Sequence, residues 1–452
     1  MNKNYSDIAE QVSQILFQAI QERESFLCEN VKQVDASLAK LLRSIGKQVM
    51  SMLFNSLAKQ VTQEAKQKGL VIHRNSQIKY SVIFGNIEVN SPYLWDKKQH
   101  RGISPVKEKL GIKPGERSPY VKRALTDFGA EESFGQASQR FEEHYGWKIE
   151  RSCVRREVEN IAQEAFEYVE NRLLSLATKF KNQEPPKKRC GWNRILVELD
   201  GCQIRTGINA PAETQELTPL RRIKKCKRQV DWREVRVGLT RPVEQKDQRT
   251  FIARMGQYPE IVSQLKAAAI DRGLSTYTLV YGVADGGNGL REALSAEFNH
   301  FQFILDRAHL KQHIYATAEA MEFSDKMRSI WIELILDSID SGYVKRVISR
   351  LKRWQGKGQK SVSNLSKYLL RFQDAVHYDR YRSMGLPIGS GEVESAHRYI
   401  PQKRLKIAGA TWHPNTINPM LALRVIQANH WWADFWKQII PEPKINENTT
   451  FA

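Results

Sequence analysis

Ile195-Leu-Val-Glu-Leu199, then Asp200-Gly201, then Cys202-Gln-Ile-Arg-Thr206 is the stretch in which the chain declares its architecture. The apolar run predicts a strand. Asp-Gly is the strongest dipeptide signal for a hairpin turn, and the alternating run after it predicts the antiparallel return strand. Trp232-Arg-Glu-Val-Arg-Val-Gly-Leu239 reads as a third strand. Beyond it the pattern predicts a helix from about Glu260 to Arg272, a strand over Tyr277 to Ala284, a helix near Leu290 to Phe298 and a strand over Phe301 to Leu305.

The resulting order, three strands, then helix, strand, helix, strand, is that of a ribonuclease H-like fold, an α/β (α+β) class. Its chemistry places carboxylates on the first strand and just after the fourth, where Asp200 and Asp285 stand. Asp200 alone reads as a turn residue, and Asp285-Gly286-Gly287 alone as an ordinary loop. It is the coincidence that both acids end apolar strands that points to a site for hard divalent cations, in which two metals serve phosphodiester chemistry. A third acid is then expected downstream.

Residues 306–384 read as an all-helical insertion, running through Asp306-Arg-Ala-His309-Leu to the basic Lys345-Arg346 and Lys352-Arg353. Gly385-Leu-Pro-Ile-Gly389-Ser390-Gly391-Glu392-Val393-Glu394-Ser395-Ala396-His397-Arg398 follows, a Gly-rich loop with Ser390 as the N-cap of a helix. Residues two apart lie about 200° around a helix, so Glu392 and Glu394 cannot both face one site. Glu394 shares a face with His397 and Arg398, bases suited to a scissile phosphate, whereas Glu392 suits the helix dipole.

Upstream, Ile8 to about Lys68 has helical spacing. Leu38, Leu41, Leu42, Ile45, Val49, Met52 and Leu53 form one apolar stripe, expected first as core within the chain and second as a seam with another chain. Ile78 to Phe84, Gly85-Asn86 and Ile87 to Val89 read as a hairpin. A helix around Glu132 to His144, a break at Tyr145-Gly146 and a helix capped near Ser152 suggest a helix-turn-helix. Arg151, Arg155 and Arg156 then stand where a recognition helix meets DNA. The expected regions are a helical N-terminal part with a hairpin (1–120), the helix-turn-helix-like part (121–180), a core (190–305), the insertion (306–384), a catalytic-helix part with C-terminal helices (385–440) and a tail (441–452). Lys181 to Arg189 reads as a linker.

Composition narrows the partners. Seventy Lys and Arg against 50 Asp and Glu give a net charge of +20, of which +15 falls after residue 180, a field suited to a polyanion. Arg221, Arg222, Lys224, Lys225, Lys227 and Arg228 form one basic cluster, and Lys345 with Arg346 belong to another. No apolar run approaches a membrane span, and the N-terminus lacks a signal-peptide pattern. Five cysteines without paired spacing suggest a reducing cytoplasm, with no disulfide or zinc site.

Four motifs carry a resemblance: Val197-Glu-Leu-Asp200-Gly201, Val283-Ala-Asp285-Gly286 with Gly289, Ile304-Leu-Asp306-Arg-Ala-His309-Leu, and Pro387-Ile-Gly-Ser-Gly391-Glu-Val-Glu394-Ser395. Together they resemble bacterial insertion-sequence transposases of the ISKra type, within the Mutator-like group of DDE transposases. The resemblance implies Asp200, Asp285 and Glu394 as a catalytic, metal-binding triad for Mg²⁺ or Mn²⁺, as two ions. It also implies Asp306 and His309 as a supporting motif outside the primary ligands; the shared helix face independently sets His397 and Arg398 beside Glu394. Lys403, Arg404 and Lys406, with Gly409 and Trp412, look like the basic segment after the catalytic helix. The implied activity is cleavage at the ends of an insertion sequence and strand transfer into target DNA. It would be carried out on double-stranded terminal repeats by a homodimer or higher oligomer, in the cytoplasm at the nucleoid. A catalytically silent DNA-binding regulator and a ribonuclease H-like nuclease without strand transfer are the alternatives.

Overall fold

The computed structural model describes residues 3–21, 31–182, 191–211 and 226–440. They fall into two compact units, Met1–Gly129 with Phe134–Glu157, and Ala130–Ser133 with Val158–Ala452. Of the segment Lys181 to Arg189 expected as a linker, Lys181 and Asn182 still belong to helix Arg151–Asn182, and the rest lies outside the described residues, as does the 441–452 tail.

In the first unit, helices Lys3–Gln21 and Val31–Gln67 precede β1 (Val71–Arg74), β2 (Gln77–Val82), β3 (Gly85–Asn90), β4 (Tyr93–Asp96) and β5 (Arg101–Ile103). β2 and β3 pair antiparallel with Val82 opposite Gly85, so the turn is Ile83-Phe84 and not Gly85-Asn86. Gly85 accepts a φ of 131° as the first paired residue, and the Ser81 hydroxyl donates to Asn86 Oδ1 at 2.7 Å. Phe84 at the tip lies over Gly46, where a Cβ would stand 2.8 Å from its ring. The long helix buries Ala58 and Val61, with Met50 and Phe54, against Ile78, Tyr80, Val82, Ile87 and Val89.

The stripe expected first as core points the other way. Leu38, Leu41, Leu42, Val49, Met52 and Leu53 are 36–72% exposed. At 100° per residue the helix carries apolar side chains on two opposite faces, and the hairpin covers only the one through Met50, Phe54 and Ala58. Helices Pro119–Gly129 and Phe134–Tyr145 follow, then Arg151–Asn182. The break at Tyr145-Gly146 is real, with Gly146 at φ 74°. The next helix already includes Arg151, so Ser152 is not its cap.

The second unit is built on a five-stranded mixed sheet with flanking helices. Its strands are β6 (Arg194–Pro211), β7 (Cys226–Pro242), β8 (Thr250–Arg254), β9 (Leu279–Ala284) and β10 (Phe301–Leu305), in the order β10-β9-β6-β7-β8. β6, β7 and β8 pair antiparallel, while β9 runs parallel to both β6 and β10. Asp200-Gly201 is not a turn: β6 passes straight through it, Asp200 opposite Val237 and Gly201 opposite Arg236. The two short strands expected on either side of Asp200 are one long strand, Trp232 to Leu239 belongs to the second strand, and the third is Thr250–Arg254. The pattern explains why. Ile195 to Leu199 is buried on both faces between β7 and β9; beyond Asp200, where β9 has ended, burial alternates with Ile204 and Thr206 inward.

Helix Tyr258–Asp271 connects β8 to β9, and Leu290–Glu297 connects β9 to β10. After β10 come helices Arg307–Ala320, Asp325–Asp340, Val344–Lys352, Gln359–Arg371 and Tyr378–Ser383. Helix Gly391–His397, a π-helical turn Arg398–Gln402, and helices Lys403–Leu405, Pro414–Ala428 and Trp432–Ile439 complete the unit. Among the described residues no helix is long and apolar enough to cross a membrane.

Candidate active site

Strand register assembles the site. Leu199 of β6 lies opposite Ala284 of β9, and Ala284 opposite Leu305 of β10. The next residue on each of these three parallel strands is an aspartate, so Asp200, Asp285 and Asp306 emerge at one level. β9 and β10 end there, at the carboxyl side where α/β sheets bind ligands, while β6 runs on past Asp200.

Ligating atoms of Asp200, Asp285 and His309 lie within 4.8 Å of one another, as do those of Asp306, His309 and Glu394. His309 is common to both groups and joins Glu394 to Asp200 and Asp285. The structure therefore brings together five of the residues read from sequence, although the three expected triad acids do not form one group by themselves. Carboxylates with one imidazole suit a hard or borderline divalent cation, so the residues present fit Mg²⁺ or Mn²⁺.

Each member has a distinct environment. Burial pushes the Asp200 carboxyl up, but His397, the Gly201 N–H and His309 bring it below its ordinary value. His397 Nε2 lies 3.2 Å from Asp200 Oδ2. Burial lowers the His397 imidazole, yet Asp200 and Cys202 push it up to about 9. This corrects the expected face: His397 is buried with Val393 and Ala396, while Glu394 and Arg398 are exposed. Arg398 remains beside Glu394 at i+4; His397 serves Asp200.

Asp285 Oδ1 accepts the Gly287 N–H at 3.0 Å, which fixes the loop after β9. Gly286 is required there, because a Cβ would stand 2.3 Å from the Tyr368 hydroxyl. Asp306 is fully buried. Its Oδ1 accepts the His309 N–H at 2.9 Å, and its Oδ2 accepts the N–H and hydroxyl of Ser390. Burial opposes ionisation, but these bonds hold Asp306 well below the usual carboxylate range. Asp306 raises the His309 imidazole above its ordinary value, with help from Asp285 and Asp200. Ser390 is thus bound to Asp306 and makes no side-chain cap for its own helix.

Glu392 does more than complement a dipole. It receives Arg241 Nε and Nη2 at 3.0 and 2.7 Å, and Arg249 Nε at 2.9 Å. Sequence reading missed Glu198. Fully buried on β6, it accepts the Val393 N–H at 2.8 Å, and burial pushes its carboxyl up to about 8. The signal was a single acid within a run buried on both faces.

The basic residues divide. Arg151, Arg155, Arg156, Arg228, Lys345, Arg346 and Lys406 are exposed. Lys403 pairs with Glu131. Arg404 is not available to DNA: it is 2% exposed, 4.7 Å over the Trp412 ring, and burial lowers it to about 10. Arg221, Arg222, Lys224 and Lys225 lie outside the described residues, and Lys227 is placed only by its backbone on β7, opposite Ala210.

The fold and site define a mixed α/β protein with a cluster of acids and one histidine where the parallel strand pairing ends. No protein-family model matches the chain. A curated protein of Streptococcus gallolyticus, described as the UPF0236 protein in the vanSb 3′ region, is 20% identical over 433 residues, covering 91% of this chain and 86% of its own. Two solved structures are also similar. The Mos1 strand transfer complex is 10% identical and the Mos1 transposase paired-end complex with left transposon end 11% identical, each covering 59% of this chain and 80% of the other at a TM-score of 0.15. At that score nothing about the site is carried over from them.

Proposed function

We propose that this chain is a DDE-type DNA transposase that binds the ends of its insertion sequence, cleaves there and joins the freed strand to target DNA. The observation that carries the reading is the convergence of Asp200 and Asp285 with His309, which in turn meets Glu394. The strand order β10-β9-β6-β7-β8 supports a ribonuclease H-like core, with the five helices between β10 and Gly391 as its insertion. Assignment to the ISKra type within the Mutator-like group rests on the four sequence motifs.

Asp200, Asp285 and Glu394 would hold divalent cations, two Mg²⁺ or Mn²⁺, which when bound supply an activated nucleophile and charge stabilisation at the departing oxygen. The chain's own residues prepare that site. His397 keeps Asp200 ionised, and Asp306 ties Ser390, just before the Glu394 helix, to the end of β10. Arg398, exposed one turn from Glu394, is placed to meet a phosphate. Exposed Arg151, Arg155, Arg156, Lys345, Arg346 and Lys406 supply duplex contacts in this reading, with the enzyme acting as a dimer at the nucleoid.

The test is incubation of the protein with duplexes carrying the repeats that flank its gene, with Mg²⁺ or Mn²⁺, scoring nicking and joining. Metal-dependent nicking and joining, both abolished by Asp285→Asn, is the expected result. Nicking without joining would make the protein a nuclease. Binding without either would make it a DNA-binding regulator.

A further inference from the structure

The small sheet of β1, β4 and β5 in the first unit has one face that the proposed chemistry does not use. β4 alternates: Leu94 is fully buried, so Tyr93 and Trp95 point to the other side, where Trp95 is 36% exposed. Val71 and Gly102 lie opposite Trp95 and share its face. On β1 a bulge between Ile72 and Arg74 inserts His73 as an extra residue. The exposed His73 ring lies 6.2 Å from Tyr93 and 6.3 Å from Trp95, centroid to centroid, on their side of the sheet. Tyr93 is laid across the neighbouring strand: a Cβ on Gly102 would collide with its hydroxyl, so only glycine leaves room for the ring over β5.

Charge shows what covers this face. Arg74 stands opposite Tyr93 at one end of the aromatic row, and the β4–β5 turn brings Lys97, Lys98 and His100 to the other, all exposed. With Arg101, the three strands and this turn hold four Lys and Arg against the single acid Asp96. Asp96 Oδ1 is itself taken by the Lys98 and Gln99 N–H groups, at 2.8 and 3.1 Å. Rings set between cations match a strand of bases and phosphates, and a sheet face with a few aromatics is the size that stacks two or three bases.

We infer that this face binds single-stranded DNA. The bases of a duplex are stacked on one another and offer no free ring face to a flat platform, so the strand is unpaired. Val71 and Gly102 beside Trp95 offer no side-chain polar group to a ribose 2′-hydroxyl, the group by which proteins tell RNA from DNA, and suit the apolar deoxyribose. The binding needs neither metal nor the acids of the second unit, so it stands or falls apart from the transposase reading.

The test follows the full chain by fluorescence anisotropy, without metal, on four labelled probes: an oligothymidylate, an abasic strand of the same length, an oligouridylate and a duplex. The native protein is expected to bind the thymidylate strand more tightly than the abasic one and at least as tightly as the uridylate. Trp95→Leu keeps an apolar residue and is expected to lose about 5- to 150-fold on the thymidylate strand, the range for one base stacked on one aromatic ring, while Trp95→Phe restores most of it. Binding of Trp95→Leu to the abasic strand and the duplex is expected to match that of the native protein. Equal thymidylate binding by native and Trp95→Leu protein, an equal loss on the abasic strand, or a preference for uridylate would overturn the inference. If Trp95→Leu does not fold, the native chain decides: a strand carrying iododeoxyuridine, irradiated with the protein, is expected to cross-link to a peptide holding His73, Tyr93 or Trp95, and cross-links confined to other peptides would overturn it.

Discussion

Ser390 gives both its backbone N–H and its hydroxyl to one carboxylate oxygen of Asp306, each at 2.6 Å. The other oxygen takes the His309 N–H, so one buried carboxylate fixes the end of β10, the start of helix Arg307–Ala320 and the residue that opens the Glu394 helix. Asp306→Asn replaces an acceptor with an amide that must point a donor at one of these donors. Bonds to a charged acceptor are worth about 1.5–3 kcal/mol each, and a loss of that order is expected in denaturant unfolding. Cleavage should fall with it, while Asp285→Asn should abolish cleavage without lowering stability. Equal stability of Asp306→Asn and native protein would remove Asp306 from this role.

Glu392 and Glu394 separate by what they touch. Glu394 is exposed and faces His309 and Asp306, so Glu394→Gln should leave folding and DNA binding unchanged and abolish nicking. Glu392→Gln should keep chemistry per folded molecule and lose about 1.5–3 kcal/mol, because Arg241 is 2% exposed and loses its charged partner. A parallel nicking and unfolding experiment on the two variants reads both. A dead but fully stable Glu392→Gln would reverse the assignment.

The sequence order of strands and the placement of Asp200 and Asp285 could be read because a strand buried on both faces is a continuous apolar run, and each acid ends one. The continuity of β6 through Asp200-Gly201 could not. Local turn propensity favours Asp-Gly, and only a 17-residue-pair ladder with β7 overrides it. The outward stripe misled for a different reason: periodicity reports that a face is apolar, not which partner covers it. His397 was placed with Glu394 by i,i+3 spacing, but the strand beneath the helix, which supplies Asp200, decides which flank is inward. Asp306 showed as a motif, whereas its hold on Ser390 joins residues 84 apart and leaves no local trace.

Glu198 sets a pH dependence. Its carboxyl is pushed up to about 8 in the folded chain, against about 4.3 when exposed. Below pH 4.3 it is protonated in both states and contributes no slope. Between about 4.3 and 8 the unfolded chain releases a proton that the folded chain keeps, so this group lowers stability by on the order of 1.4 kcal/mol per pH unit. Above 8 the penalty is constant. Glu198→Gln keeps an oxygen for the Val393 N–H and removes the ionisation, so it should be more stable than the native protein at pH 8 and similar at pH 4.5. Unfolding curves across that range check it; parallel pH profiles for the two proteins would show that Glu198 ionises freely in the folded state.

Helix Val344–Lys352 buries Val344, Val347, Ile348 and Leu351 and turns Lys345, Arg346 and Arg350 outward, with Arg353 just past its end. Four cations at spacings of one, four and three residues form a stripe with no acid between them, and a phosphate backbone is the polyanion that matches it. Each phosphate contact releases counterions, so log K falls with log[salt] by about 0.9 per contact. Replacing Lys345, Arg346, Arg350 and Arg353 by alanine leaves the buried face intact and should preserve the melting curve. The slope of duplex binding against salt should become shallower by about 2–4, weakening all sequences alike, because phosphate contacts carry no base information. Fluorescence anisotropy on a repeat-bearing duplex and an unrelated duplex, each at several salt concentrations, supplies the measurement. An unchanged slope would make this face an ordinary solvated surface, whereas a loss confined to the repeat-bearing duplex would mean that these side chains read bases.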